Sequence, residues 1–278
     1  MTAIDLRKRP GKAAMGEDRA AIMDAPTVGS PALQRLRDTH KGLSGVDLLE
    51  ATIKKAFPGK IAVVSSFGAE SAVLLHLVAQ VDPSTPVIFL NTGKLFGETL
   101  RYRDRLQEKL GLTDIRAVGP HPADLVAQDP NGGLWNADAD GCCFIRKVLP
   151  LERALKGFDA SITGRKRFQT NARAGMEPIE EERVRGTGEP GTATGTRFKV
   201  NPLAYWTQED LEAYLDEHKL PRHPLVKDNY LSIGCMPCTD RVAPGEDVRA
   251  GRWRGRVKTE CGIHLPQARR GEEARGWQ

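Results

Sequence analysis

Apolar residues recur at helical spacing from Leu43 to Phe57, through Val46, Leu49 and Ile53, and Pro58-Gly59 closes the pattern. A helix is therefore predicted over this stretch. The pattern then changes. Ile61-Ala62-Val63-Val64 is a short, mostly β-branched run of the buried-strand type, and it leads directly into Ser65-Ser66-Phe67-Gly68-Ala69-Glu70-Ser71 and a helical stretch from Ala72 to Val81. Val87-Ile88-Phe89-Leu90 predicts a second strand, followed by Asn91-Thr92-Gly93 and a helix to about Leu110; Ile115 to Val118 predicts a third strand. A further unit follows, with a helix starting near Cys142 and a strand from Ala160 to Thr163 that ends at Gly164. Strand, loop and helix in alternation predict an α/β fold, with an open, mostly parallel sheet and helices on both faces. Arg197 to Asn201 reads as another strand, and the Gly- and Thr-rich stretch Gly186 to Gly195 as a loop or hairpin. Thr207 to His218 reads as a capped helix, with Asp210 at the third position and Leu211, Tyr214 and Leu215 facing inward.

Three regions are expected along the chain. Residues 1–30 mix Gly, Ala, Pro and charge without periodicity and read as a mobile tail. Residues 31–240 would form the α/β domain, and residues 241–278 a flexible C-terminal segment. The tail has no apolar core of the signal-peptide type, and no apolar run approaches the length of a membrane span. A cytoplasmic protein, not bound to membranes, is the resulting expectation. There, five cysteines point to metal binding or catalysis more than to disulfides. The net charge of +5 is modest, and fits an anionic small molecule or an acidic partner better than nucleic acid. An assembly of identical subunits remains an open arrangement.

The loop Ser65 to Ser71 lies where a parallel sheet binds ligands, beyond the carboxyl end of a strand and at the start of a helix. Its backbone N–H groups and the hydroxyls of Ser65, Ser66 and Ser71 are suited to an anion, although it lacks the Gly-Lys-Ser/Thr ending of a Walker A loop. The cysteines carry a sharper signal. Cys142-Cys143 and Cys235-Met236-Pro237-Cys238 together supply four ligands, and Cys261 is left over in Glu260-Cys261-Gly262-Ile263-His264. Adjacent cysteines are awkward on one tetrahedral zinc, whereas a cubane with separate iron corners tolerates them. The spacing alone leaves a [4Fe–4S] cluster, a zinc ion and unligated cysteines open. If Cys142 opens a helix, Arg146 and Lys147 lie one turn further along the same face, placed to stabilise a negative centre or to hold an anionic substrate.

From about Ile61 to Leu265 the chain resembles assimilatory adenylyl-sulfate (APS) reductases, the iron–sulfur branch of the phosphoadenylyl-sulfate (PAPS) reductase family. The resemblance rests on Ser65 to Ser71, Leu90-Asn91-Thr92-Gly93, Cys142-Cys143 with Arg146-Lys147, Thr163-Gly164, Gly234-Cys235 with Cys238-Thr239, Arg249 with Gly251-Arg252-Trp253, and Glu260 to His264. It implies an adenine-nucleotide α-hydrolase-like fold and a [4Fe–4S] cluster on Cys142, Cys143, Cys235 and Cys238. It also implies a nucleotide held near Ser65, Ser66, Phe67, Gly68, Ala69, Glu70, Ser71 and Leu90, Asn91, Thr92, Gly93. The phosphosulfate would reach toward Lys147, Gly164 with Arg165 or Arg167, Arg249 and Arg252. Cys261, with His264 nearby, would attack sulfur and carry a sulfonate, which a thioredoxin or glutaredoxin-like thiol would release as sulfite, in the service of sulfate assimilation and cysteine biosynthesis. Two departures stand out. The usual Lys of the serine loop is Ala69, which disfavours pyrophosphate release from ATP, and the usual acid of the arginine loop is Phe168. A reductase of PAPS, or of both nucleotides, is the nearest alternative. An ATP-dependent thiolase or ligase and a zinc-stabilised nucleic-acid-binding protein are more distant ones.

Overall fold

In the computed structural model, residues 29–185, 193–256 and 258–264 are described. Of the expected tail, residues 1–28 lie outside them, as do the tip of the expected hairpin at residues 186–192 and the last residues, 265–278. The strands β1 (Ile61–Ser65), β2 (Val87–Leu90), β3 (Ile115–Val118), β4 (Ala160–Thr163), β5 (Ile179–Arg185) and β6 (Ala193–Val200) form one sheet in the order β3-β2-β1-β4-β6-β5. All neighbours run parallel except β5 and β6, which form an antiparallel hairpin at one edge.

The buried side chains show why both faces of the sheet are covered. Ile61 and Val63 join a large cluster with α3 (Ser71–Val81), α4 (Gly97–Leu110) and α9 (Gln208–Glu217) on one face. The alternate residue Ala62, with Ile88, packs against Leu155 and Leu151 on the other, where α8 (Leu149–Ala154) lies. A strand covered twice has no polar face to show, hence the continuous apolar runs. Between β1 and β4 the strand order reverses direction, and this opens a crevice beyond their carboxyl ends.

The element ends have local causes. Thr207 and Asp210 cap α9 reciprocally, with Asp210 N donating to Thr207 Oγ1 at 3.2 Å and Thr207 N to Asp210 Oδ2 at 3.0 Å. The cysteine helix α7 (Ala139–Cys143) begins three residues before Cys142, because Asp138 accepts from the N–H groups of Asp140 and Gly141 at 3.0 and 2.8 Å. It continues as a wide π-type turn (Phe144–Val148) into α8. The helix expected over Leu43 to Phe57 starts at Gly45 and also turns to π geometry, at Ala51–Ala56. Besides the short helices Pro122–Gln128 and Leu134–Ala137, two described elements at the sheet edge had no forerunner in the apolar pattern. One is β5; the other is α1 (Pro31–Thr39), which packs against β5 and donates from Arg37 Nε to Ile179 O at 2.9 Å.

The described part of the C-terminal segment folds back onto the domain. Thr239 and Arg252 form an isolated bridge, Asp240 N donates to Gly251 O at 2.8 Å, and Trp253 N donates to Cys238 O at 3.2 Å.

Candidate active site

A cavity of about 230 Å³ occupies the crevice at the reversal point. Ser65, Ser66, Gly68, Ala69, Glu70 and Ser71 line it from β1 and its loop, Leu90 from the end of β2, and Gly164 and Arg165 from the end of β4. Arg249 and His264 close it from the C-terminal segment. Phe67 does not line it. Its backbone turns to a φ of 50°, and its ring is fully buried, edge-on to Phe89 at 5.2 Å. Burying a phenylalanine contributes about 1.5–3 kcal/mol, which offsets the roughly 1–2 kcal/mol cost of left-handed backbone. The ring thus pins the loop while the flanking backbone faces the cavity. Gly68 sits where a Cβ would come within 3.1 Å of Ile233 O, so the loop packs directly on the segment Leu231 to Ile233, which also lines the cavity.

Leu90, Asn91, Thr92 and Gly93 divide between two tasks. Leu90 faces the cavity, whereas Thr92 Oγ1 lies 3.3 Å from Cys235 Sγ and Thr92 O accepts from Arg146 Nη1 at 2.8 Å. Arg146 also forms a buried ion pair with Asp129 at 2.5 Å. Its guanidinium is thus engaged in joining three loops, and of the two cations after the cysteine pair it is Lys147 that turns to the remaining cysteine.

The arginine loop is equally divided. Arg165 lines the cavity beside Thr163, binds Glu180 at 2.6 Å and reaches Thr163 and Asn201. Arg167 points away from the cavity, bound to Glu177 at 2.8 Å and stacked on Tyr205 at 4.4 Å. Lys166, almost fully buried, pairs with Glu70 of the serine loop. Arg173, a residue with no distinguishing sequence context, lines the cavity and pairs with Glu260 at 2.7 Å.

The two cysteine pairs meet because the chain around Cys235 is fastened to the loop after β2. Leu95 bridges to Cys235, and Met236 N donates to Lys94 O at 2.8 Å. Cys142, Cys143 and Cys235 are buried and Cys238 is half-buried. Burial raises the Cys142 thiol to about 11 and raises Cys238 as well; the neighbouring Cys235 adds to both shifts. Thiolates in such a place need a positive partner, and a thiolate-bound metal centre supplies one. Among the described residues, no three His, Cys, Asp or Glu side chains are grouped closely enough to hold a single metal ion.

Cys261 is the fifth sulfur. Its Sγ lies 3.7 Å from Lys147 Nζ. A hydrogen bond from the Cys143 thiol, then the Lys147 ammonium, the Ile263 N–H and Arg252 hold its pKa well below the ordinary thiol value, against the opposing effect of burial. Lys147 responds in kind: burial disfavours its charge, but the sulfurs of Cys235, Cys261 and Cys143 outweigh it and raise its pKa. Arg252 stacks on Trp253 at 4.4 Å, and Arg249 donates to Thr259 O at 3.1 Å. Burial and the neighbouring Arg173 lower Arg249 to about 10, so it still carries its charge at neutral pH. His264 is held neutral by burial and by Arg173, Arg165, Lys199 and Arg249 around it. The cavity thus holds Arg165, Arg173, Arg249 and the neutral imidazole of His264 on its wall, and Cys261, with Lys147 and Arg252 beside it, lies just ahead of the lining residues Ile263 and His264.

Comparison with known proteins fits this geometry. Residues 60–241 match the phosphoadenosine phosphosulfate reductase domain. A protein of Mesorhizobium japonicum named adenosine 5′-phosphosulfate reductase is 49% identical over 223 residues, covering 80% of this chain and 83% of its own. One of the same name from Chelativorans sp. is 53% identical over 208 residues, covering 75% and 80%. The crystal structure of a phosphoadenylyl-sulfate (PAPS) reductase from Candida auris, in complex with phosphate, superposes with a TM-score of 0.61 at 24% identity, over 78% of this chain and 98% of that one, and so shares the fold. By its domain match and by relatives near half-identical over most of its length, the chain belongs to the phosphoadenosine phosphosulfate reductase family.

Proposed function

We propose that this protein reduces adenosine 5′-phosphosulfate to sulfite and AMP, with Cys261 as the nucleophile and a thioredoxin-type dithiol as the reductant, in the cytoplasm. The observation that carries the proposal is the seat of Cys261: a thiol 3.7 Å from the half-buried Lys147 and just ahead of Ile263 and His264, which line the cavity together with the serine loop. The substrate class comes from the relatives' shared name.

The steps follow from charge. A thiolate approaching an anionic sulfonyl group is repelled, and preformed cations must offset that repulsion. Lys147 and Arg252 act on the thiolate side; Arg165 and Arg249 stand where the phosphosulfate would extend from the cavity. The Cys261 thiolate forms a bond to sulfur as the bond from sulfur to the bridging oxygen breaks, and AMP leaves with that electron pair. Cys261 then carries an S-sulfonate. A thiolate of the partner dithiol attacks the Cys261 sulfur and expels sulfite; the second partner thiol resolves the mixed disulfide, so the dithiol is oxidised as sulfur is reduced. Cys142, Cys143, Cys235 and Cys238 would hold a [4Fe–4S] cluster, which would supply a charged centre beside Lys147; Cys143 as a ligand would have no thiol proton to give, so Lys147, the Ile263 N–H and Arg252 would hold the Cys261 thiolate. Arg146 and Thr92 fix the loops from which these cysteines project.

The test is anaerobic purification with iron and sulfide analysis, then incubation with APS or PAPS without reductant. APS is expected to leave one sulfonate on Cys261, read by peptide mass. Cys261→Ser should form no adduct and no sulfite, yet keep the visible absorbance of the cluster, about 400 nm for such centres. Turnover by this variant, or an adduct elsewhere, refutes the nucleophile; faster adduct formation from PAPS refutes the substrate.

A further inference from the structure

Glu260 is out of place for a residue next to the nucleophile. A carboxylate there repels both the thiolate and an incoming anion, yet it is almost fully buried and fully engaged. Its Oε1 accepts from Arg173 Nε at 2.9 Å and from Thr170 Oγ1 at 2.7 Å, and its Oε2 accepts from Arg173 Nη2 at 2.7 Å. Arg249 stands 3.9 Å from the same oxygen. Arg173 holds Glu260 in the paired, planar geometry that makes guanidinium–carboxylate contacts the most directional of ion pairs.

The contact does not end at Arg173. Its Nη1 donates to Gln169 Oε1, and Gln169 Nε2 donates to Glu70 Oε2 at 3.0 Å. Glu70 is the residue that opens into α3 from the serine loop, and Glu70, Gln169 and Arg173 all line the cavity. One unbroken polar chain therefore runs from the serine loop, across the arginine loop, to the residue preceding Cys261. Cys261 itself is met by other groups, with its sulfur beside Lys147 and Cys143 and its carbonyl accepting from His264 N at 2.8 Å.

We infer that Glu260 is a positioning residue: clasped by Arg173, it seats Cys261 for attack, and the chain through Gln169 to Glu70 couples that seat to the nucleotide site. The inference rests on Cys261 being the nucleophile. It assigns Glu260 no contact with substrate. Breaking the clasp releases the segment that carries the sulfur while leaving the nucleotide cavity formed, so the loss falls on kcat more than on KM.

The experiment uses the iron-replete enzyme and variants Glu260→Gln and Arg173→Glu/Glu260→Arg. Two quantities are read: steady-state sulfite release, and the rate at which iodoacetamide labels Cys261, taken at the high-pH plateau so that thiol ionisation does not enter. Each is measured with and without AMP. Glu260→Gln is expected to lower kcat by about tenfold or more with KM for APS within about threefold. It should raise plateau labelling by about tenfold, because the sulfur spends more time unseated. AMP should slow labelling in the wild type and lose that effect in Glu260→Gln, and the charge-swapped pair should recover part of the slow labelling. Unchanged plateau labelling in Glu260→Gln overturns the clasp whatever kcat does. Protection by AMP that survives in Glu260→Gln overturns the coupling. Neither result touches the assignment of Cys261, which the sulfonate adduct decides separately.

Discussion

At the scale of single residues, the site is built from close approaches that a small change disturbs. Gly68 is the clearest case. A methyl group there would sit 3.1 Å from Ile233 O, tighter than a side chain normally tolerates, so Gly68→Ala pushes the serine loop away from Leu231 to Ile233. Those two segments form facing parts of the cavity wall. We expect Gly68→Ala to raise KM for APS by about tenfold while changing stability by less than about 1 kcal/mol, since Phe67 still anchors the loop in the core. Kinetics beside a urea titration checks this, and an unchanged KM would mean that the nucleotide does not depend on this wall. The five cysteines stand out in the sequence because their spacing is itself a chemical pattern. Arg173 does not, because its partner Glu260 lies 87 residues away and only the folded chain brings them together. Phe67 differs for a related reason: it sits in the middle of the cavity-lining serine loop but faces the core.

At the scale of elements, the strands covered on both faces could be read directly: β2 is apolar throughout and β1 up to Ser65, and β4 interrupts its apolar residues only with the small, buried Ser161 and Thr163. The hairpin strand β5 could not. Its residues Glu180, Glu181 and Glu182 break any apolar alternation, and they pair instead with Arg165, with Ser30 N, and with Arg197 and Lys199. A strand at a sheet edge that serves ionic partners carries no hydrophobic signature. The cysteine helix shows how a local motif acquires a tertiary role. Arg146 follows Cys142 at helical spacing, but the π-type turn and the buried carboxylate of Asp129 draw it into the junction of three loops. Asp129 also accepts from Leu134 N at 2.8 Å, which orders the turn before α6 (Leu134–Ala137). With both partners almost fully buried, removing one leaves the other charge uncompensated. We expect Asp129→Asn to cost about 3–5 kcal/mol, and the paired apolar replacement Asp129→Leu/Arg146→Met to cost much less. Urea unfolding of the two variants at equal iron content separates them; equal losses would show that packing, not charge, holds this junction.

At the scale of the whole molecule, the titrating groups with lowered pKa all push stability in one direction. Asp129, Glu182 and Glu260 are held below the usual carboxylate range: burial raises each, but the arginines and lysine beside them prevail. Their contribution is present above their unfolded pKa values, roughly pH 4, and is lost as pH falls below that. The histidines act earlier. His223 is almost fully buried at the junction of α4 with the segment after α9, where Leu225 N donates to its Nδ1 at 3.2 Å and its Nε2 lies 3.0 Å from Thr99 Oγ1. With Nδ1 already accepting, protonation would break that bond and place a charge in the core. Burial accordingly lowers its pKa from 6.5 to about 4. Between those values the unfolded chain binds the extra proton and the folded one does not, so stability falls as pH falls from about 6.5 toward 4, by at most about 3 kcal/mol for this one residue. The acid limb should therefore open well above the carboxylate range. His223→Gln, whose amide can still donate to Thr99 and does not titrate, should be less stable at pH 7.5 but show a flatter decline of the urea midpoint down to pH 5. If the variant and the wild type decline in parallel, His223 does not open the acid limb, and the neutral imidazole inferred from its two hydrogen bonds is wrong.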